Sequence, residues 1–158
     1  TIDFAHPLIG VQTFELEVTP ETFASELAKA RTFGFLRDIE YLRKNNLALG
    51  GSLDNAVVLD DYAVLNEDGL RFPDEFVRHK MLDFIGDMAL LGMPLQGHFS
   101  IYCSGHGVNN AFLRMLDENR AYYLEEVELT SKAPYAAGRR PEREAAPARL
   151  LHGASASA

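Results

Sequence analysis

"EFVRHKMLDFIGDMALLG", residues 75–92, is the stretch on which the reading of this chain turns. It reads as one helix with an apolar stripe, opened by Asp74 after Pro73 and closed at Gly92, where a left-handed residue is commonly needed. Along it His79, Asp83 and Asp87 recur every four residues. Four residues turn an α-helix through 400°, which returns them to within about 40° of one another on the same face. His79 and Asp83 can therefore approach one cation together. Zinc accepts imidazole nitrogen and carboxylate oxygen, but a catalytic site usually has three protein ligands, so two on one helix make half a site. The same spacing also gives a helical ion pair worth a few tenths of a kcal/mol. The pair alone leaves both readings open.

About twenty residues on, SGHGVNN (104–110) places His106 after a glycine at a strand-to-helix turn. An imidazole there is suited to act as acid or base, because its unperturbed pKa near 6.5 lets it give and take a proton around neutrality. A turn or helix-capping histidine is the alternative. An aspartate accepting one ring N–H would fix the tautomer and favour the charged form, and Asp87 lies one turn beyond Asp83. His6, His98 and His152 have no comparable surroundings and read as structural or surface residues.

Working outward, IGVQTFELEV (9–18) ends in strict alternation and predicts a half-buried strand. Thr19-Pro20 is a helix start, with a capping hydroxyl before a proline whose missing N–H is not needed, and the helix should run to about Ala30. FLRDIEYLRKNN (35–46) predicts a helix with Leu36, Ile39 and Leu42 on one face, ended by Asn45-Asn46 and the glycines at 50 and 51. AVVLDD (56–61) and VLN (64–66) are short strand candidates. HFSIYCSG (98–105) reads as a strand, VNNAFLRMLDENR (108–120) as a helix and YYLEEVEL (122–129) as a last strand. Interleaving of this kind implies an α/β or α+β fold. From Ser131 onward the chain turns to Ala, Pro, Arg and Gly, and residues 131–158 are expected to be a disordered tail.

The chain has 158 residues, enough for one domain that buries roughly 70% of its unfolded surface. Its net charge of −8 divides into +3 for residues 132–158 and −11 for the rest, and so acidic a body argues against a nucleic-acid partner. The single cysteine, Cys103, cannot form an internal disulfide, which fits a reducing compartment, the cytoplasm. No apolar run approaches the roughly 18 residues of a transmembrane helix, and no signal pattern opens the chain. It starts at Thr1 and goes almost at once into strand-like sequence, which suggests a piece of something longer.

RTFGFLRDIEYLRKNNLALGGSLDNAVV (31–58), NEDGLRFPDEFVRHKMLDFIGDMALLG (66–92) and SGHGVNN, in that order, closely resemble the UDP-3-O-acyl-N-acetylglucosamine deacetylases of lipid A biosynthesis, the LpxC family. The resemblance covers roughly residues 1–130. It implies that His79 and Asp83 bind Zn²⁺, that His106 is the general acid toward the departing amine, and that Asp87 orients it. It further implies that the Thr32 hydroxyl helps bind the oxyanion, that Phe33 lines the sugar pocket and that Lys80 faces the substrate, UDP-3-O-acyl-N-acetylglucosamine. Residues 32–59 correspond to the family's inserted βαβ segment, with Leu36, Ile39, Ala48, Ser52 and Val58 along an acyl-chain passage; spaced leucine and isoleucine also suit an ordinary core. The expected fold is α+β, a two-layer sandwich of helices on a mixed sheet with a βαβ insert.

Two departures qualify what the resemblance implies. In the family the third zinc ligand and the general-base glutamate belong to a His-Glu-His motif in a preceding domain, and this sequence contains no such motif. The chain is thus expected to be the second domain, with the N-terminal domain absent, and to be inactive alone. Cys103 stands where relatives often carry a lysine, which puts diphosphate binding in question; as a small apolar residue it is expected to pack at a strand end. A non-catalytic acyl-UDP-sugar binding module and a plain structural α/β domain are the remaining readings.

Overall fold

The computed structural model describes residues 1–47 and 49–127, of which Thr1–Glu125 form one unit. The 131–158 tail, Ala48 and residues 128–129 of the last expected strand lie outside the described residues.

The class is α+β. Strands β1 (Ile2–Phe4) and β2 (Gly10–Gln12) pair antiparallel, and β3 (Thr32–Phe35) pairs parallel with β4 (Ala56–Leu59). Helix α2 (Leu36–Lys44) connects the latter two, so β3-α2-β4 is a βαβ unit. Among the described residues the two ladders are separate sheets of two strands each, not the single mixed sheet expected. Hydrophobic burial nonetheless joins them: Ile2 and Ile9 from the first pack with Val57 and Leu59 from the second, and Phe76 and Val77 close the cluster. On β3 and β4 the alternation turns Phe33, Phe35, Val57 and Leu59 into this core.

Helix α3 (Glu75–Ala89) is the spine. Its first turns bury Phe76 and Val77 in that core, while Phe84 and Met88 further along pack with Leu91 and with Leu113 of α4 (His106–Glu118). The helix ends at Ala89, short of the expected residue 92, and the turn that follows it carries Gly92 in the left-handed region at φ +79°. Asp74 precedes it, but its carboxylate pairs with Arg78 and does not cap the first turn. Asn46, at φ +57°, turns the chain out of α2 as asparagine commonly does.

Elsewhere tertiary partners redrew the local reading. Only residues 10–12 of the expected 9–18 strand carry ladder bonds, although Phe14 and Leu16 stay half-buried between exposed neighbours. Thr19 caps as expected: its hydroxyl accepts from the Thr22 amide at 3.2 Å, and the Thr22 hydroxyl answers the Thr19 amide at 2.8 Å. The helix it opens, α1 (Pro20–Thr22), passes into a π-helical turn over Phe23–Leu27 and stops short of Ala30. Val64 makes only an isolated bridge to Leu59. Residues 98–105 form no strand. Among the described residues Thr1 alone of the N-terminal segment gives them backbone hydrogen bonds, donating to the Ile101 carbonyl at 2.8 Å and accepting from the Cys103 amide at 3.0 Å, and one residue is not a ladder. Cys103 itself is exposed at φ +49°, so it does not pack at a strand end. Tyr122 and Tyr123 belong to a short helix, α5 (Arg120–Tyr123), not to a strand.

Candidate active site

The helical stripe that opened the sequence reading becomes two contacting pairs. His79 Nε2 lies 3.2 Å from Asp83 Oδ1, and one turn later Asp87 holds His106, whose Nδ1 is 2.9 Å from Oδ2 and 3.0 Å from Oδ1. The first pair is intrahelical, as any i,i+4 pair would be. The second joins α3 to the first turn of α4, with Gly105 at the position before that helix.

The first pair has an unusual proton inventory. His79 Nδ1 is 3.1 Å from the Ala30 carbonyl, an oxygen that can only accept, so Nδ1 carries the proton. In the neutral ring Nε2 then presents a lone pair to a carboxylate, which also only accepts. The contact is attractive when the ring is a cation or when a cation sits between the two groups. Two ligands of tetrahedral zinc at about 2.0–2.2 Å are about 3.3–3.6 Å apart, and the 3.2 Å found here is just below that range's lower end. The Ala30 carbonyl is the kind of partner that orients metal-binding imidazoles. His79 and Asp83 therefore fit as two ligands. Among the described residues no group of three or more His, Cys, Asp or Glu is arranged to hold a metal.

Lys80 turns to the same carboxylate, its Nζ 2.9 Å from Asp83 Oδ2 and 5.8 Å from the centre of the Phe33 ring. Burial opposes ionisation of Asp83, but the hydrogen bonds from His79 and Lys80, and then their charges, outweigh it and hold its pKa down to about 2. A depressed carboxyl stabilises the fold above its ordinary pKa near 3.9 and loses that contribution as pH falls toward 2. In metal-free protein, Asp83→Asn should therefore cost about 2 kcal/mol at pH 6 by urea denaturation and almost nothing at pH 2. A cost independent of pH would contradict the assignment.

The other expected site residues are distributed as follows. Thr32 is exposed at the start of β3, two residues after the carbonyl that touches His79. Phe33 packs in the core edge-on to Phe4 and Phe76, with ring centres 5.5 and 5.0 Å apart. Leu36, 47% exposed, lines an open groove of about 370 Å³ with Phe35, Arg37, Leu59, Asp60 and Asp61. Ile39 is half-buried on α2, Ser52 is exposed in the turn before β4, and Val58 is buried at 8% exposure on the face of β4 opposite Val57 and Leu59. Of the described passage residues only Leu36 borders that groove. His6 is structural: it is buried, accepts from the Leu8 amide at Nδ1, and so donates from Nε2 to the Asp60 carbonyl.

Asn109 was not anticipated. It is 2% exposed, and its amide donates to Asp87 Oδ2 at 2.7 Å. One asparagine of the adjacent Asn109-Asn110 pair has no periodicity to announce such a contact; its place one turn after His106 is the trace it leaves in the sequence.

An α+β unit with a facing imidazole–carboxylate pair and, one turn along the same helix, a carboxylate-held imidazole carries side chains of the kinds that hydrolase domains use. Comparison with known proteins specifies it further. A family model described as LpxC, UDP-3-O-acyl N-acetylglycosamine deacetylase, matches residues 1–118. The protein of Oleidesulfovibrio alaskensis named UDP-3-O-acyl-N-acetylglucosamine deacetylase is 66% identical over 148 residues, 94% of this chain and 47% of that protein. Those of the same name from Nitratidesulfovibrio vulgaris and Lawsonia intracellularis are 66% and 59% identical, over 89% and 81% of this chain and 45% and 42% of theirs. The chain belongs to the LpxC family. It spans about half the length of the curated relatives it matches, and the first of those matches runs past residue 130, further than the blocks that carry the resemblance.

Proposed function

We propose that this chain forms one part of an enzyme that hydrolyses the acetamide of UDP-3-O-acyl-N-acetylglucosamine in lipid A biosynthesis, a cytoplasmic reaction dependent on zinc. The observation that carries the proposal is the facing of His79 Nε2 and Asp83 Oδ1 at 3.2 Å while Nδ1 is committed to the Ala30 carbonyl.

Zinc, when bound, lowers the pKa of water and polarises the scissile carbonyl. His79 and Asp83 are two of its ligands. Asp87 keeps the His106 proton on Nδ1 and aims Nε2 outward, where an imidazolium can protonate the leaving amine. His106 is well placed for this, since its side chain is 70% exposed and reachable by substrate. The Thr32 hydroxyl is assigned to the developing oxyanion and the Lys80 ammonium to negative charge on the substrate or transition state. Leu36, Ile39, Ala48, Ser52 and Val58 remain the proposed acyl contacts, where each buried CH₂ contributes about 0.8 kcal/mol. The third ligand and the base that deprotonates water are assigned to a preceding domain, so the 158-residue chain alone is expected to be inactive.

The test is acetate release from UDP-3-O-acyl-N-acetylglucosamine by the full-length gene product. Chelation should abolish release and stoichiometric zinc should restore it, while His79→Ala and Asp83→Ala should each lower the zinc content of the purified protein. Full turnover after exhaustive chelation would overturn the reading.

A further inference from the structure

His106 stands at the first position of α4 with most of its side chain in solvent, and among the described residues its ring hydrogen-bonds to Asp87 alone. The direction of the imidazole is therefore only as well defined as that of the Asp87 carboxylate. A carboxylate can turn about its last bond unless something holds a particular oxygen. Asn109, one turn along the same helix, does so: Asp87 Oδ2 accepts from Asn109 at 2.7 Å and from His106 at 2.9 Å. The carboxylate accepts only, so the Asn109 group facing it is the NH₂ and the amide orientation follows. Asn109 is buried at 2% exposure, whereas its neighbour Asn110 is exposed. One carboxylate is thus gripped by two groups of α4, one buried and fixed, the other exposed and free to meet substrate.

We infer that Asn109 is a positioning residue for proton transfer: it fixes the Asp87 carboxylate and, through it, the direction of the His106 imidazole. This deepens the proposed function and rests on it for the chemistry, though not for the geometry. Outer partners that orient metal-bound imidazoles cost about 10–100-fold when removed, and Asn109 orients its imidazole through a carboxylate in the same manner.

The experiment compares the unmodified full-length gene product with Asn109→Ala and Asn109→Asp, the second keeping the volume and replacing donor by acceptor. Three quantities are measured: kcat and KM for acetate release, the thermal midpoint, and the proton resonance of His106 Nδ1–H. The expected result is a kcat lower by about 10–100-fold with KM unchanged within about twofold, and a His106 resonance broadened or lost in both variants. A merely structural asparagine would lower the thermal midpoint and leave kcat and the resonance of the folded fraction alone; that outcome overturns the inference. If Asn109→Ala does not fold, Asn109→Asp decides by the same readings. If the unmodified protein releases no acetate, the deacetylase reading fails, and the resonance alone still decides whether Asn109 holds the pair.

Discussion

Replacing Glu75 by alanine should lower the unfolding free energy by about 3–5 kcal/mol, the cost of removing one partner from a buried ion pair. Glu75 is fully buried at the first position of α3 and its partner Arg31 nearly so. The carboxylate accepts from the Arg31 amide at 2.9 Å and Nε at 3.0 Å on one oxygen, and from Arg31 Nη2 at 3.2 Å and the Arg71 amide at 2.6 Å on the other. Burial alone would raise its pKa, but these hydrogen bonds overcome that and leave it below the usual carboxylate range. Without Glu75 the guanidinium keeps the Gly69 carbonyl at 2.7 Å and the largely exposed Asp68 at 3.3 Å, and two backbone amides lose their acceptor. Removing both charges with apolar residues of similar size should cost much less, because no uncompensated charge is then left inside. Urea denaturation of Glu75→Ala and of Arg31→Met/Glu75→Leu gives both numbers. A loss below about 1 kcal/mol for the single change, or a double change as costly as the single, would refute this account.

The same pair shows where sequence reading stops. Glu75 in a first helical turn looks like a surface carboxylate favoured by the helix dipole, and nothing in its spacing from Arg31 announces that both are inside. By contrast the stripe of His79, Asp83 and Asp87 was legible because helical periodicity is local, as were the Thr19 cap, the left-handed Gly92 and the helix after His106. The β3-α2-β4 unit was legible through the family resemblance. What failed was what depends on a partner far away in sequence. Residues 13–18 and 98–105 have the composition of strands, but a strand exists only where another lies beside it. Interleaved strands and helices suggested one mixed sheet, whereas among the described residues the strands pair as two separate two-stranded ladders, since which strands pair is a long-range matter. Asn109 stayed invisible for the complementary reason: its contact is between two helices, and one amide in a polar turn leaves no pattern.

Replacing His106 by alanine in the full-length gene product should lower kcat for acetate release by about 10²–10⁴-fold, the span attributed to general acid–base catalysis by a positioned side chain. That is about 3–5 kcal/mol of transition-state stabilisation, yet it should come with almost no change in thermal stability. The side chain is 70% exposed, and exposed histidine–carboxylate contacts contribute little to folding. Nor should KM move far, since the proton is needed by the leaving amine and not by the bound substrate. His106→Ala is thus expected to act on turnover and Glu75→Ala on folding, although Glu75 and the Asp87 that holds His106 stand on the same helix. Asp87→Asn, which keeps the shape but replaces one accepting oxygen by a donor, should lie between wild type and His106→Ala in kcat. If His106→Ala retains kcat within about threefold, the proton comes from elsewhere, and the Asp87–His106 pair is a helix-to-helix clasp with no part in the reaction.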